Sequence, residues 1–254
     1  MKLKRLFFLS LGHIASDFYP GMLSPLLPLI LDHHGLSMAH AGILVTVLQG
    51  TCNLSQPFVG VLNDTRPMKS FLWAGLIISG LPFCFLMQAG SLSKMIIALA
   101  ISGIGVGMYH PVAAVAAGLS ARGEHKSLSM AVFSSGGTIG FLTAPMFVVL
   151  VVKILGEQYM PLAIVPALLM AVYFIYDRDI VVSEKHHLTA SEWFASLVEN
   201  KRELTVLWLV SSFRAVVHLL VGSFLPLLII TRGSSYESSA FILSATLFAG
   251  MIGM

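Results

Sequence analysis

The 254-residue chain is 56% hydrophobic and 11% charged, with a mean hydropathy of +0.86 and a formal charge of +3. That balance excludes an ordinary soluble domain. The small positive charge reads as membrane topology and gives no reason to expect a nucleic-acid partner.

Taking about 20 apolar residues as one membrane crossing, helices are predicted over residues 6–31, 40–62, 70–88, 93–118, 127–152, 160–181 and 204–230, with an eighth opening near 239. The first run follows Lys2, Lys4 and Arg5, as a signal peptide would. It continues through Pro20 and Pro25 to Leu31, too long for a signal core, and carries Asp17 midway. Cys52 and Cys84 both fall within predicted helices, so no disulfide is expected. Between the sixth and seventh helices lies a long hydrophilic stretch, Asp177 to Arg202. Within it, Thr189 and Glu192 have capping-box spacing ahead of Trp193, Phe194, Leu197 and Val198, which predicts an interfacial linker helix.

Two segments repeat at a fixed offset. Pro28 pairs with Pro226 and Gly35 with Gly233, each 198 residues apart, and the order of apolar run, proline, polar loop with glycine and new apolar run is the same in both. A repeat of membrane-spanning segments on this scale is the signature of a transporter built from two parallel halves. It predicts a protein of roughly 400 residues, of which this chain is a part. With the N-terminus in the cytoplasm, Lys2, Lys4, Arg5, Arg66, Lys69, Arg122, Lys126, Arg178, Lys185, Lys201 and Arg202 face inward, 11 of the 15 basic residues. Lys94, Lys153 and Arg232 face outward, and Arg214 lies within a helix.

Helix 2 presents Gln49, Asn53, Gln56 and Gly60 on one face. Amides in hydrocarbon need partners or water, so this stripe either lines a cavity or bonds to a neighbouring helix. Gly103 and Gly107 on helix 4, and Gly136 and Gly140 before Pro145 on helix 5, are small residues four apart. That spacing predicts close packing among helices 2, 4 and 5. Ionisable groups inside hydrocarbon are the sharper signals: His13 and Asp17 one turn apart on helix 1, His110 on helix 4, Arg214 and His218 one turn apart on helix 7. Asp17 with His13 reads as a proton-coupling candidate or as a static ion pair, and His110 beside Pro111 as a third proton carrier or a packed histidine. Gln49, Asn53, Gln56, Arg214 and His218 are substrate-cavity candidates. No zinc motif, phosphate-binding glycine loop or catalytic constellation is found, so neither a metal, a cofactor nor an enzymatic activity is expected.

Gly60-Val61-Leu62-Asn63-Asp64-Thr65-Arg66-Pro67-Met68-Lys69 resembles the loop signature of the major facilitator superfamily, with Asp64 and Lys69 at its acidic and second basic positions and Thr65, Pro67 and Met68 departing from it. Gly12-His13 with Asp17, Leu48-Gln49, Gln56-Pro57 and Gly105 to Pro111 are similar to the fosmidomycin-resistance-type branch, although Val112 stands where that branch often has a glutamate. The resemblance implies an all-α membrane protein with a major-facilitator-type bundle. Residues 1–182 would form the first six-helix half, 183–202 a cytoplasmic linker, and 203–254 the first two helices of a second half. It also implies a conformational-gating role for Gly60, Asp64, Arg66 and Lys69. The implied activity is proton-driven export of a small organic solute or antibiotic by alternating access. The protein would lie in the inner membrane among lipid, able to work as a single chain. Uptake of an anionic metabolite is the alternative.

Overall fold

The computed structural model describes residues 2–121, 123, 125–177, 179–183 and 189–252, with the side chains of Ala190, Arg214, His218, Gly250, Met251 and Ile252 excepted. Arg122, Arg178, Lys185 and the side chain of Arg214, all used in the topology argument, lie outside the described residues. The described chain has nine α-helices, two 3-10 segments and no strand.

The first repeat opens with α1 (Leu3–His34), buried along most of its length although Pro20, Pro25 and Pro28 each remove a backbone donor. Its end is set by Gly35, whose φ of 58° lets its N–H reach back to the carbonyls of Leu31 and Asp32. α2 (Met38–Thr65) follows, with Ser37 and His40 closing a capping box. The second repeat copies this geometry. α8 (Lys201–Thr231) contains Pro226, Gly233 has φ of 89°, and α9 (Tyr236–Ile252) starts 198 residues after Met38.

α3 (Ser70–Cys84), α4 (Leu92–Gly118), α5 (His125–Ile154), α6 (Val165–Tyr176) and α7 (Ala190–Glu199) complete the fold. Two predicted helices are shorter than expected. The third stops at Cys84 and continues as a 3-10 turn over Leu86–Gln88, because Pro82 in its last turn withdraws a donor. The sixth begins as a 3-10 segment, Glu157–Ile164, through Pro161. It becomes α-helical only from Val165, with Pro166 in its first turn, and ends at Tyr176, where the Asp177 carboxylate accepts the Asp179 N–H.

Among the described residues, five helical stretches are long and apolar enough to cross a membrane: Leu3–His34, Leu92–Gly118, His125–Ile154, Glu157–Tyr176 and Lys201–Thr231. α2 has the length but carries its amide stripe, and α3 is apolar but has 15 residues.

α1 packs along α5, and α4 sits between α2 and α3. Glycines set these approaches. A Cβ on Gly107 would meet the Ser55 hydroxyl and the Cys52 carbonyl, and one on Gly103 would meet Thr51 and the Leu48 carbonyl, so α4 lies directly on α2. Gly136 and Gly140 face the carbonyls of Ser10 and Ile14, so the glycine face of α5 is turned to α1 and away from helices 2 and 4. Pro145 is buried just beyond them.

Candidate functional site

The glycine-lined contact of α5 with α1 brings three ionisable side chains together at mid-length of their helices. His13 and Asp17 project from one face of α1, and His110 reaches them from α4, 93 residues away in sequence. His110 Nε2 is 2.7 Å from Asp17 Oδ1, and His13 Nε2 is 3.3 Å from Asp17 Oδ2. All three are largely covered: their side chains are 10%, 18% and 23% exposed for His13, Asp17 and His110.

Second contacts fix the orientation. His13 Nδ1 lies 2.8 Å from the carbonyl of Phe133, which can only accept, so Nδ1 carries a proton. The His13 ring also stacks on Phe133 with centroids 4.2 Å apart. Tyr109, fully buried, donates its hydroxyl to the Leu9 carbonyl at 2.7 Å and so pins α4 to α1 one residue before His110. Gly137 completes the pocket: a Cβ there would stand 2.6 Å from His13 Nε2 and collide with Asp17 Oδ2.

This geometry has a chemical consequence. With Nδ1 protonated, a neutral His13 presents a lone pair to the lone pairs of Asp17 Oδ2, an arrangement that repels unless positive charge sits between them. A proton on either atom turns the 3.3 Å gap into a hydrogen bond. His110 can supply a second proton to Oδ1. From α5, the Phe133 carbonyl and Gly137 lie against the cluster.

The other sequence candidates are distributed as follows. Gln49 and Gln56 are half-buried and Asn53 is exposed, while a side chain at Gly60 would meet nothing within 4 Å, so this face of α2 is open. Gln56 donates to the buried Cys52 Sγ at 3.5 Å, one turn back along α2. Arg214 and His218 have side chains outside the described residues. Asp64 is half-buried at the end of α2, with Arg66 and Lys69 exposed beyond it. Val112 is fully buried in the core.

Asn63, which no sequence candidate includes, is buried in the last turn of α2. It donates to the Val182 carbonyl at 2.6 Å and accepts the Met68 N–H at 3.2 Å, tying the α2–α3 loop to the segment after α6. Its place on the same helical face as Gln49, Asn53, Gln56 and Gly60 was the available signal.

The two repeats touch at the end of the bundle remote from the N-terminus. The Ser24 hydroxyl donates to the Ser223 carbonyl at 3.0 Å, and the Tyr236 hydroxyl to the Pro25 carbonyl at 2.9 Å. Pro25 and Ser223 are themselves 198 residues apart, each three residues before the repeat's proline. Lys153 adds an exposed ion pair to Glu237 at 3.2 Å. By contrast, the described side chains of α8 from Lys201 to Leu220 are exposed almost throughout.

An all-helical bundle of apolar spans with a proline-marked repeat and a half-buried ionisable cluster defines a multi-pass membrane protein. The chain belongs to the Major Facilitator Superfamily, whose family model matches residues 9–254. It is similar to the fosmidomycin resistance protein of Escherichia coli (strain K12), with 26% identity over 164 residues, 65% of this chain and 40% of that protein. Its fold matches the crystal structure of a bacterial homolog of the human lysosomal transporter Spinster, inward-facing and unoccupied. The TM-score is 0.71 at 17% identity, covering 94% of this chain and 58% of that one. It also matches a peptide transporter POT in complex with sulfate, with a TM-score of 0.57 at 16% identity over 86% of this chain and 46% of that one. The chain thus spans less than two thirds of the length of each of these proteins.

Proposed function

We propose that this chain provides the first half, residues 1–182, the linker, 183–202, and the opening helices of the second half, 203–254, of a secondary transporter. It exchanges protons for a small organic solute by alternating access across the inner membrane, with its N-terminus in the cytoplasm. The observation that carries this reading is the lone-pair conflict between His13 Nε2 and Asp17 Oδ2, relieved only by a bound proton or other cation. A half-buried carboxylate between two imidazoles holds a proton more tightly when its surroundings exclude water and releases it when water or imidazolium charge stabilises the carboxylate, so its occupancy can be coupled to conformation. Family membership and the likeness to a fosmidomycin resistance protein support transport, with export of an antibiotic-like solute as the preferred direction.

In this scheme the α2 stripe of Gln49, Asn53 and Gln56 faces the solute, and Arg214 and His218 of α8 meet it from the second half. Gly60 and Asp64 in the last turns of α2, with Arg66 and Lys69 just beyond it, form the gating segment that changes contacts between states, anchored by Asn63. The test is flux of a solute panel, fosmidomycin included, in proteoliposomes of the full-length chain with and without an imposed pH gradient. Gradient-dependent movement of a solute supports proton exchange. Movement indifferent to the gradient removes the proton from the mechanism.

A further inference from the structure

We propose that His13, Asp17 and His110 form a binding site for a borderline divalent transition-metal ion of the Zn²⁺ class, held by two imidazole Nε2 atoms and the Asp17 carboxylate. No zinc motif exists in the sequence, because the ligands come from α1 and α4 and only the fold joins them. In the structure one ligand atom from each residue lies within 4.8 Å of the others. Four ligands at about 2.1 Å from a tetrahedral ion stand about 3.4 Å apart. His13 Nε2 and Asp17 Oδ2, at 3.3 Å, already have that spacing. His110 is closer to the other carboxylate oxygen, at 2.7 Å, as a hydrogen-bond donor. Once it loses that proton, its ring, the most exposed of the three, can turn its lone pair to the same ion.

Three further features match what such an ion needs. The Nδ1 proton of His13 is committed to the Phe133 carbonyl, which holds the ring as an Nε2 ligand, the outer-shell contact usual for metal-bound imidazole. The slot between His13 and Asp17 requires positive charge. Gly137 keeps α5 off it, since a methyl group there would occupy space against both ligand atoms. A donor set of two nitrogens and one carboxylate favours imidazole-binding metals over Mg²⁺ and Ca²⁺, which prefer oxygen. The ion and the protons compete for the same lone pairs, so occupancy by one excludes the other. The site shares its residues with the proton-exchange proposal but does not depend on it, because binding is measured at equilibrium without flux.

The test is calorimetric titration of Zn²⁺ into the detergent-solubilised full-length chain at neutral pH, with Mg²⁺ in excess. One saturable ion per chain is expected. Asp17→Asn and His110→Gln should weaken binding about tenfold or more. His33→Gln, which breaks the separate His33–Glu157 pair at 3.4 Å, should leave it unchanged. Wild-type affinity should fall as pH is lowered. Bound Zn²⁺ should also protect His110 from diethylpyrocarbonate, read by mass spectrometry on wild-type protein, so the outcome does not depend on the variants folding. Absence of saturable binding, wild-type affinity in both ligand variants, or His110 modified equally with and without Zn²⁺ would each overturn the site.

Discussion

Replacing Asn63 with alanine should unfasten the loop between α2 and α3 from the segment that follows α6. Asn63 is 1% exposed and makes two hydrogen bonds, to the Val182 carbonyl and from the Met68 N–H, with Val182 itself buried. Truncation leaves both backbone groups without a partner, at about 1–3 kcal/mol each when water stays out. Water reaches a loop at the end of a helix more readily than the bundle centre, so we take about 2–4 kcal/mol for the pair. At about 1.4 kcal/mol per tenfold, that shifts the local opening equilibrium by about 30-fold to about 700-fold. Hydrogen exchange followed by mass spectrometry reads the change directly in peptides covering residues 62–70 and 179–183. Asn63→Ala should speed exchange in both. Asn63→Asp keeps the acceptor for Met68 and loses the donor to Val182, so it should loosen 179–183 while sparing Met68. If Asn63→Ala left exchange unchanged in both peptides, Asn63 would not be the tie described here.

Gly136→Val places side-chain atoms where a Cβ alone stands 2.6 Å from the Ser10 carbonyl, so it should force α1 and α5 apart and lower thermal stability by about 1–3 kcal/mol or more, measured by thermal unfolding in detergent. The doubly substituted Ser24→Ala, Tyr236→Phe removes both hydroxyl contacts between repeats, about 1 kcal/mol each. It should lengthen the distance distribution between spin labels at Asp32 and Ser235, and an unchanged distribution would make those bonds incidental. The Thr189 N–H and hydroxyl hold the Glu192 carboxyl below its usual range, so its contribution to α7 is complete above that range and disappears as pH falls through the lowered value. In a vesicle-bound peptide covering residues 183–202, circular dichroism should show helix lost on acidification. Glu192→Gln, which keeps the capping geometry, should reduce the pH dependence to what the other ionisable side chains of the peptide contribute.

Much of the fold was legible because hydrocarbon imposes long apolar runs, and because Pro28, Gly35, Pro226 and Gly233 mark the same turn twice. The helix ends that differed, at Cys84 and before Val165, depend on where a proline withdraws a donor, which apolarity does not reveal. His13 and Asp17 were legible as a pair from their spacing of four. The pairing of His110 with Asp17 was not, since 93 residues separate them and only the packing of α4 on α1 through Tyr109 closes the distance. Gly137 falls outside the four-residue spacing of Gly136 and Gly140, and the Phe133 carbonyl is a backbone group that no side-chain pattern can announce. The glycine spacing predicts close packing among helices 2, 4 and 5; α4 does lie on α2, but the glycines of α5 meet α1, because spacing identifies a close contact without naming its partner.

Asp17→Asn in proteoliposomes of the full-length chain puts proton exchange to its most direct trial. Asparagine keeps the size of the side chain and a hydrogen-bonding group for His110 but cannot carry the exchanged proton. The substituted protein should lose pH-gradient-driven movement of solute while retaining counterflow exchange of the same solute at equal pH. Full gradient-driven transport by Asp17→Asn would contradict the proposal and make the His13–Asp17–His110 cluster a structural tie between α1 and α4.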